Sequence, residues 1–162
     1  MEPSAESEAP VRVLGLGNEV LADDALGILV AGEIRRIFAG RLEVVCSSAA
    51  GVHLLDDLLG ARRLLVVDTI QTGTAKPGTI QVLSDDQIRT VAGSSPHFIG
   101  LFEMIALGRE LELAVPREVV IIAVEASDCS TLGGGMHPDV RAAIPRVTEF
   151  VRQFMAKESR YE

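Results

Sequence analysis

The chain has 162 residues, 48% of them hydrophobic and 23% charged, with a formal net charge of −8. That is a globular composition, long enough to bury a proper core. The acidic balance, with no local Lys/Arg cluster against it, argues against nucleic acid as a partner. No stretch approaches the roughly 18 apolar residues of a membrane span, and Met1 to Pro10 lacks the apolar segment of a signal peptide. The expectation is a soluble, cytoplasmic protein. Cys46 and Cys129 lie far apart and form no Cys-x-x-Cys pair, which suits two free thiols in a reducing compartment. Cys129 stands in a polar loop, where a metal role is chemically open, although free cysteines as a class behave as small buried hydrophobes.

Met1 to Pro10 reads as a disordered lead-in, rich in Glu, Ser and Pro without periodicity. Residues 11–157 then read as one domain. Val11 to Gly17 is an apolar strand with two glycines near its end. From Ala25, helical spacing places Leu26, Leu29, Val30, Ile34, Ile37 and Phe38 on one face, and Gly40 stops the helix. Leu42 to Cys46 is a second strand. Leu54, Leu55, Leu58 and Leu59 give a short helix ending at Gly60. Arg63 to Asp68 is a continuous apolar run closed by a carboxylate, the pattern of a strand covered on both faces.

Gly78 to Leu83 is a further strand, expected at an edge. Phe98 to Leu113 is helical, with Leu101, Ile105 and Leu107 as core candidates, and Val119 to Val124 is the last strand. Pro138 to Met155 forms the final helix, with Val140, Ile144, Val147, Val151 and Phe154 inward and a kink or short break expected at Pro145. Alternation of this kind predicts an α/β fold: a three-layer α/β/α sandwich with a mostly parallel sheet of about five strands.

In an open α/β sheet, ligands bind at the loops leaving the carboxyl ends of the strands. Three such stretches carry chemistry. Gly15-Leu16-Gly17-Asn18 lacks the third glycine of a dinucleotide fingerprint, and acidic residues follow it. Asp23 and Asp24 sit before a helix, where one Asp suffices to cap free N–H groups. Two together crowd negative charge, a cost relieved by solvent or a cation. Asp68 closes an aliphatic strand and reads either as a turn residue or as a carboxylate over the sheet's edge. His97 precedes the third helix and reads as a helix-start neighbour, a partly buried core histidine or a ligand. Carboxylates plus an imidazole make a mixed O/N set suited to a divalent transition ion with open positions, and zinc would accept the same set. His53 and His137 are read as structural.

Gly15-Leu16-Gly17-Asn18, followed by Leu21-Ala22-Asp23-Asp24-Ala25-Leu26-Gly27, resembles the signature of the nickel–iron hydrogenase maturation endopeptidases. Val66-Val67-Asp68, Pro77-Gly78-Thr79, Ser95-Pro96-His97 and Gly135-Met136-His137-Pro138-Asp139-Val140 fit that family in the same order, so the likeness runs from about Val11 into the last helix. The resemblance implies an α/β/α fold. It implies an endopeptidase that trims the C-terminal extension of a hydrogenase large-subunit precursor after nickel insertion, aspartyl-type or metal-dependent in class. It further implies Asp24, Asp68 and His97 as the nickel ligands and catalytic residues, the nickel being supplied by the substrate's active site. A monomer docking on a large hydrogenase precursor is the simpler expectation for the working unit. Two stretches depart from the pattern: Cys46-Ser47-Ser48-Ala49-Ala50-Gly51 replaces an acidic, glycine-rich strand end, and Glu125-Ala126 lacks a following Pro. No Ser/His/Asp elbow and no His-Glu-x-x-His helix is present. A self-sufficient metallohydrolase and a non-enzymatic nickel-sensing maturation chaperone remain open as alternatives.

Overall fold

A computed structural model of the chain describes residues 11–84, 87 and 96–158, with the backbone alone at 96–99 and 158. The expected lead-in at residues 1–10 lies outside the described residues. Strand β1 (Val11–Leu16) is followed by a 3-10 turn (Ala22–Ala25) and helix α1 (Leu26–Phe38). Strand β2 (Glu43–Ser47), a second 3-10 turn (Gly51–His53) and the short helix α2 (Leu54–Leu58) come next. Strands β3 (Arg63–Ile70) and β4 (Ile80–Ser84), helix α3 (Pro96–Glu110), strand β5 (Glu118–Glu125) and helix α4 (Pro138–Glu158) complete the order.

The sheet has five strands in the order β2-β1-β3-β5-β4, all parallel except β4. The expected edge strand is thus at the edge, and antiparallel. Alternating side chains on β3 split the core into two layers. Leu64, Val66 and Ile70 pack with α2 and α3 through Leu54, Leu58, Leu101 and Ile105. Leu65 and Val67 pack with α1 and α4 through Leu26, Val30, Ile34, Val140, Val147 and Val151.

Right-handed crossovers explain the sides taken. The chain leaves β1 outward to β2 and so lays α1 on one face. It then returns across β1 to β3, which puts α2 on the other. The chain therefore moves in opposite directions from two neighbouring strands, β1 and β3. Between their carboxyl ends lies the sheet's topological switch point, the place where such folds form a crevice.

Several expected details change. Leu29, Ile37 and Leu107 are more than a third exposed, because the sheet covers a narrower stripe of α1 and α3 than the periodic residues span. Helix α3 starts at Pro96, which suits a first helical position, and ends at Glu110, since Glu112 adopts φ 56°. Helix α4 continues through Pro145 without a break. The carbonyl that this proline orphans belongs to Arg141, an exposed residue where water can serve. Strand β3 runs two residues past Asp68, which lies inside it, paired with Ala123 of β5. Arg12, in the middle of the apolar run of β1, is buried and caps α2 by donating to the carbonyls of Asp57 and Leu59, both at 2.8 Å.

Glycines set how closely α1 approaches the sheet. A β-carbon on Gly27 would lie 2.0 Å from Leu16 O and 2.6 Å from Val67 O, both backbone atoms that cannot swing aside. Gly32, on the same helix, has nothing within 4 Å of such a carbon. Gly27→Ala is expected to lower stability by about 1–3 kcal/mol through overpacking. Gly32→Ala is expected to raise it by about 0.5–1 kcal/mol through helix propensity. Denaturant unfolding of the two variants side by side checks both signs.

Candidate functional site

The loop after β1 is built around its backbone. Gly17 N donates to Ser47 O (3.1 Å) and Asn18 N to Asp24 O (3.1 Å), so the loop folds back over the strand end. A β-carbon on Gly17 would meet Asp24 O at 2.0 Å; only glycine allows this return. Asn18 Oδ1 accepts from Val20 N (3.1 Å), and the carbonyl of Asn18 accepts from Leu21 N (3.2 Å). Ala22 then takes φ 36° while buried, a left-handed conformation that costs a residue with a β-carbon about 1–2 kcal/mol. Local strain of this kind clusters at functional sites. It immediately precedes the two aspartates.

Asp23 and Asp24 do not share a job. Neither caps the 3-10 turn that holds it or the helix that follows: the turn and α1 have no side-chain cap bond. Asp23 is fully buried, and its carboxylate accepts three backbone N–H bonds from elsewhere in the chain. Oδ2 takes Ser127 N at 2.8 Å and Asp128 N at 2.9 Å, while Oδ1 takes His137 N at 2.6 Å. Asp23 N returns a bond to Asp128 O at 2.8 Å. It is a tie between the β1 loop, the β5 loop and the start of α4. His137 is structural as well, its Nδ1 accepting from Asp139 N (3.2 Å) at the head of α4.

Asp24 faces a different neighbourhood. It is 7% exposed, and its Oδ1 accepts from the hydroxyl of Thr69 at 3.2 Å. Thr69 follows Asp68 on β3, beyond the last β1 partner, and its N–H donates to Asp68 Oδ1 at 2.7 Å. Asp68 is wholly buried and lies on the sheet face that carries Leu64, Val66 and α3. One residue thus touches both carboxylates, Asp68 through its amide and Asp24 through its hydroxyl.

Cys129 lies on the third side, its Sγ 3.4 Å from Thr69 Oγ1. Burial first, and then the charges of Asp24, Asp23 and Asp68, push its thiol up to about 11. The loop that carries Cys129 is held by Asp128, whose carboxylate accepts from Ser130 and Thr131 and is held low, at about 2, chiefly by the Thr131 hydroxyl. On the far rim, Glu125 is also buried, but its acceptors go to Thr72 N (2.9 Å), Gly73 N (3.0 Å) and the Thr72 hydroxyl (2.9 Å), which shapes the β3–β4 loop. Sequence reasoning missed Thr69, and only its place directly after Asp68 could have signalled it.

The side chain of His97 lies outside the described residues. Its backbone is in the first turn of α3. Three residues on, Gly100 packs against Gly51, in the loop that leaves the carboxyl end of β2. His53 is exposed. Among the described residues, no group of three or more His, Cys, Asp or Glu side chains is arranged to hold a metal ion, and no helix is long and apolar enough to cross a membrane.

A family model described as hydrogenase maturation protease matches residues 28–153. The chain belongs to the hydrogenase maturation protease family. It is accordingly a peptidase. The matched span includes Asp68 and His97 and begins just after the Asp23-Asp24 turn. The protease is 29% identical over 145 residues to the hydrogenase 2 maturation protease of Escherichia coli K12, covering 87% of each chain. It is 26% identical over 156 residues to the hydrogenase expression/formation protein HupD of Thiocapsa roseopersicina, covering 93% of this chain and 70% of HupD. Among solved structures, the hydrogenase maturating endopeptidase HybD of E. coli superposes with a TM-score of 0.79 at 25% identity, covering 92% of this chain and 93% of HybD. The α/β sandwich expected from the strand and helix pattern is that of this relative.

Two outcomes follow from the geometry. Asp23→Ala strands three N–H groups in the interior and is expected to lower stability by about 3 kcal/mol or more, read as a lower midpoint in denaturant unfolding. Because the thiolate is the reactive form, iodoacetamide at neutral pH is expected to label Cys129 at least roughly 100-fold more slowly than an ordinary thiol of pKa about 8.5. Unfolding should abolish that protection, and peptide mass spectrometry of folded and denatured samples measures both.

Proposed function

We propose that the protease removes the C-terminal extension of a nickel–iron hydrogenase large-subunit precursor, and that it reads the nickel already seated there. Asp24, Asp68 and His97 are the residues we assign to this recognition and to the cleavage beside it. The observation that carries the reading is the pairing of two buried carboxylates at the switch point, joined through Thr69. Buried carboxylates held by one residue favour a nearby cation, since an opposite charge stabilises their ionised form. A metal centre presented by the precursor supplies that cation, and its own ligands complete the coordination. The nickel is therefore substrate, and the finished centre is preferred over the empty one for an electrostatic reason.

The hydrolytic step needs a nucleophile. Cys129, the thiol beside the carboxylates, is held protonated by burial and by their charge, which makes it a poor one. We assign attack to a water held over the scissile bond and activated by a carboxylate or by the substrate's metal. The relatives named for hydrogenase maturation support the substrate class. In the same reading the protease works as a monomer, in the cytoplasm, where the precursor is assembled.

Purified protease incubated with nickel-replete and nickel-free precursor is the direct test, read by intact mass. Shortening of the nickel-replete form alone is expected. Asp24→Asn, Asp68→Asn and His97→Ala should each reduce its rate by about 100-fold or more, beyond the roughly 10–100-fold lost when only an outer-shell partner of a metal ligand is removed. Full processing by all three variants would refute the assignment. Equal processing of both precursors would refute nickel reading.

A further inference from the structure

Thr69 lies at the centre of the site and is 3% exposed. Its three polar contacts form a directed chain. The carboxylate of Asp24 can only accept, so the single hydroxyl hydrogen of Thr69 goes to Asp24 Oδ1, at 3.2 Å. The hydroxyl oxygen is then left as an acceptor toward Cys129, whose Sγ at 3.4 Å supplies the S–H. Meanwhile the Thr69 amide holds Asp68 Oδ1 at 2.7 Å. The amide comes with any residue except proline at this position; the hydroxyl is peculiar to Thr or Ser.

We propose that Thr69 is a positioning residue of the protease, its hydroxyl aligning the Asp24 carboxylate with Asp68 and its own orientation set by the Cys129 thiol. This rests on the reading of Asp24 and Asp68 given above. Asp24 sits in the short 3-10 turn that follows the β1 loop, and Asp68 sits inside a strand paired on β5. The hydroxyl ties the Asp24 carboxylate to β3, at the residue whose amide holds Asp68, and so couples the two side chains assigned above to the metal. Small misplacements of such groups have large effects on reactivity.

The hydroxyl and the packing of Thr69 separate cleanly by substitution. Thr69→Val keeps the shape and the amide and removes the hydroxyl; Thr69→Ser keeps the hydroxyl and removes the methyl. With nickel-loaded precursor as substrate, Thr69→Val is expected to lose about tenfold or more in kcat/KM, and Thr69→Ser to stay within about threefold of the parent enzyme. A role in packing alone predicts the reverse order. Should Thr69→Val lose the cooperative denaturant unfolding of the parent enzyme, Thr69→Ala, which opens space instead of pressing a methyl on the carboxylate, is read in its place. Cys129→Ala is expected to fall between the parent and Thr69→Val. Asp24→Asn is assayed alongside. An inactive Asp24→Asn beside a fully active hydroxyl-free variant overturns the role of Thr69 alone. A fully active Asp24→Asn overturns the site reading and the role of Thr69 with it.

Discussion

The carboxylate of Asp23 organises the whole carboxyl edge of this sheet. It is fully buried and takes N–H groups from Ser127, Asp128 and His137, which are more than a hundred residues away in the chain. A charge without solvent is tolerated only where hydrogen bonds replace its hydration. Here three backbone donors do so, and one of them lies at the head of α4, where the helix dipole adds to the attraction. Through that tie, the β1 loop, the β5 loop and α4 become one support. The neighbouring Asp24 is placed by it without taking part.

The support explains how several acidic side chains can be gathered beneath the surface. Asp23 is neutralised structurally by dipoles. Asp68 is held by the amide of Thr69 and Asp24 by its hydroxyl. The strained Ala22 and the unsubstituted Gly17 are the local concessions that let Asp24 reach this position. A thiol placed among these groups, Cys129, is driven away from ionisation. Asp23, Asp24 and Asp68 thus meet protein donors at one end of the sheet, three backbone N–H groups for the first and the hydroxyl and amide of Thr69 for the other two.

Much of this is legible in the sequence. The continuous apolar run at Leu64 to Val67 marks a strand covered on both faces, and β3 occupies the middle of the sheet; the run at Val119 to Val124 marks a strand, and β5 lies beside it. The spacing of Leu26, Val30 and Ile34 marks the buried side of α1, and all three are buried. Periodicity overreached at Leu29, Ile37 and Leu107, because it reports which residues share a helix face and not how wide a strip the sheet covers. It missed the end of α3, where a left-handed Glu112 stops the helix without a glycine. The buried Arg12 was invisible too, since its role depends on α2 ending above it.

The order of residues alone determined the layered fold, the strands and helices with their approximate limits, and the resemblance that joins this chain to the maturation proteases. Those properties come from local spacing, and local spacing survives in a one-dimensional string. The resemblance already singled out Asp24 of the two adjacent aspartates, but what each carboxylate holds was decided only by tertiary structure. Asp23 and Asp24 are chemically identical neighbours, and their partners, Ser127, Asp128 and His137 for one and Thr69 for the other, are brought to them by the folding of distant loops.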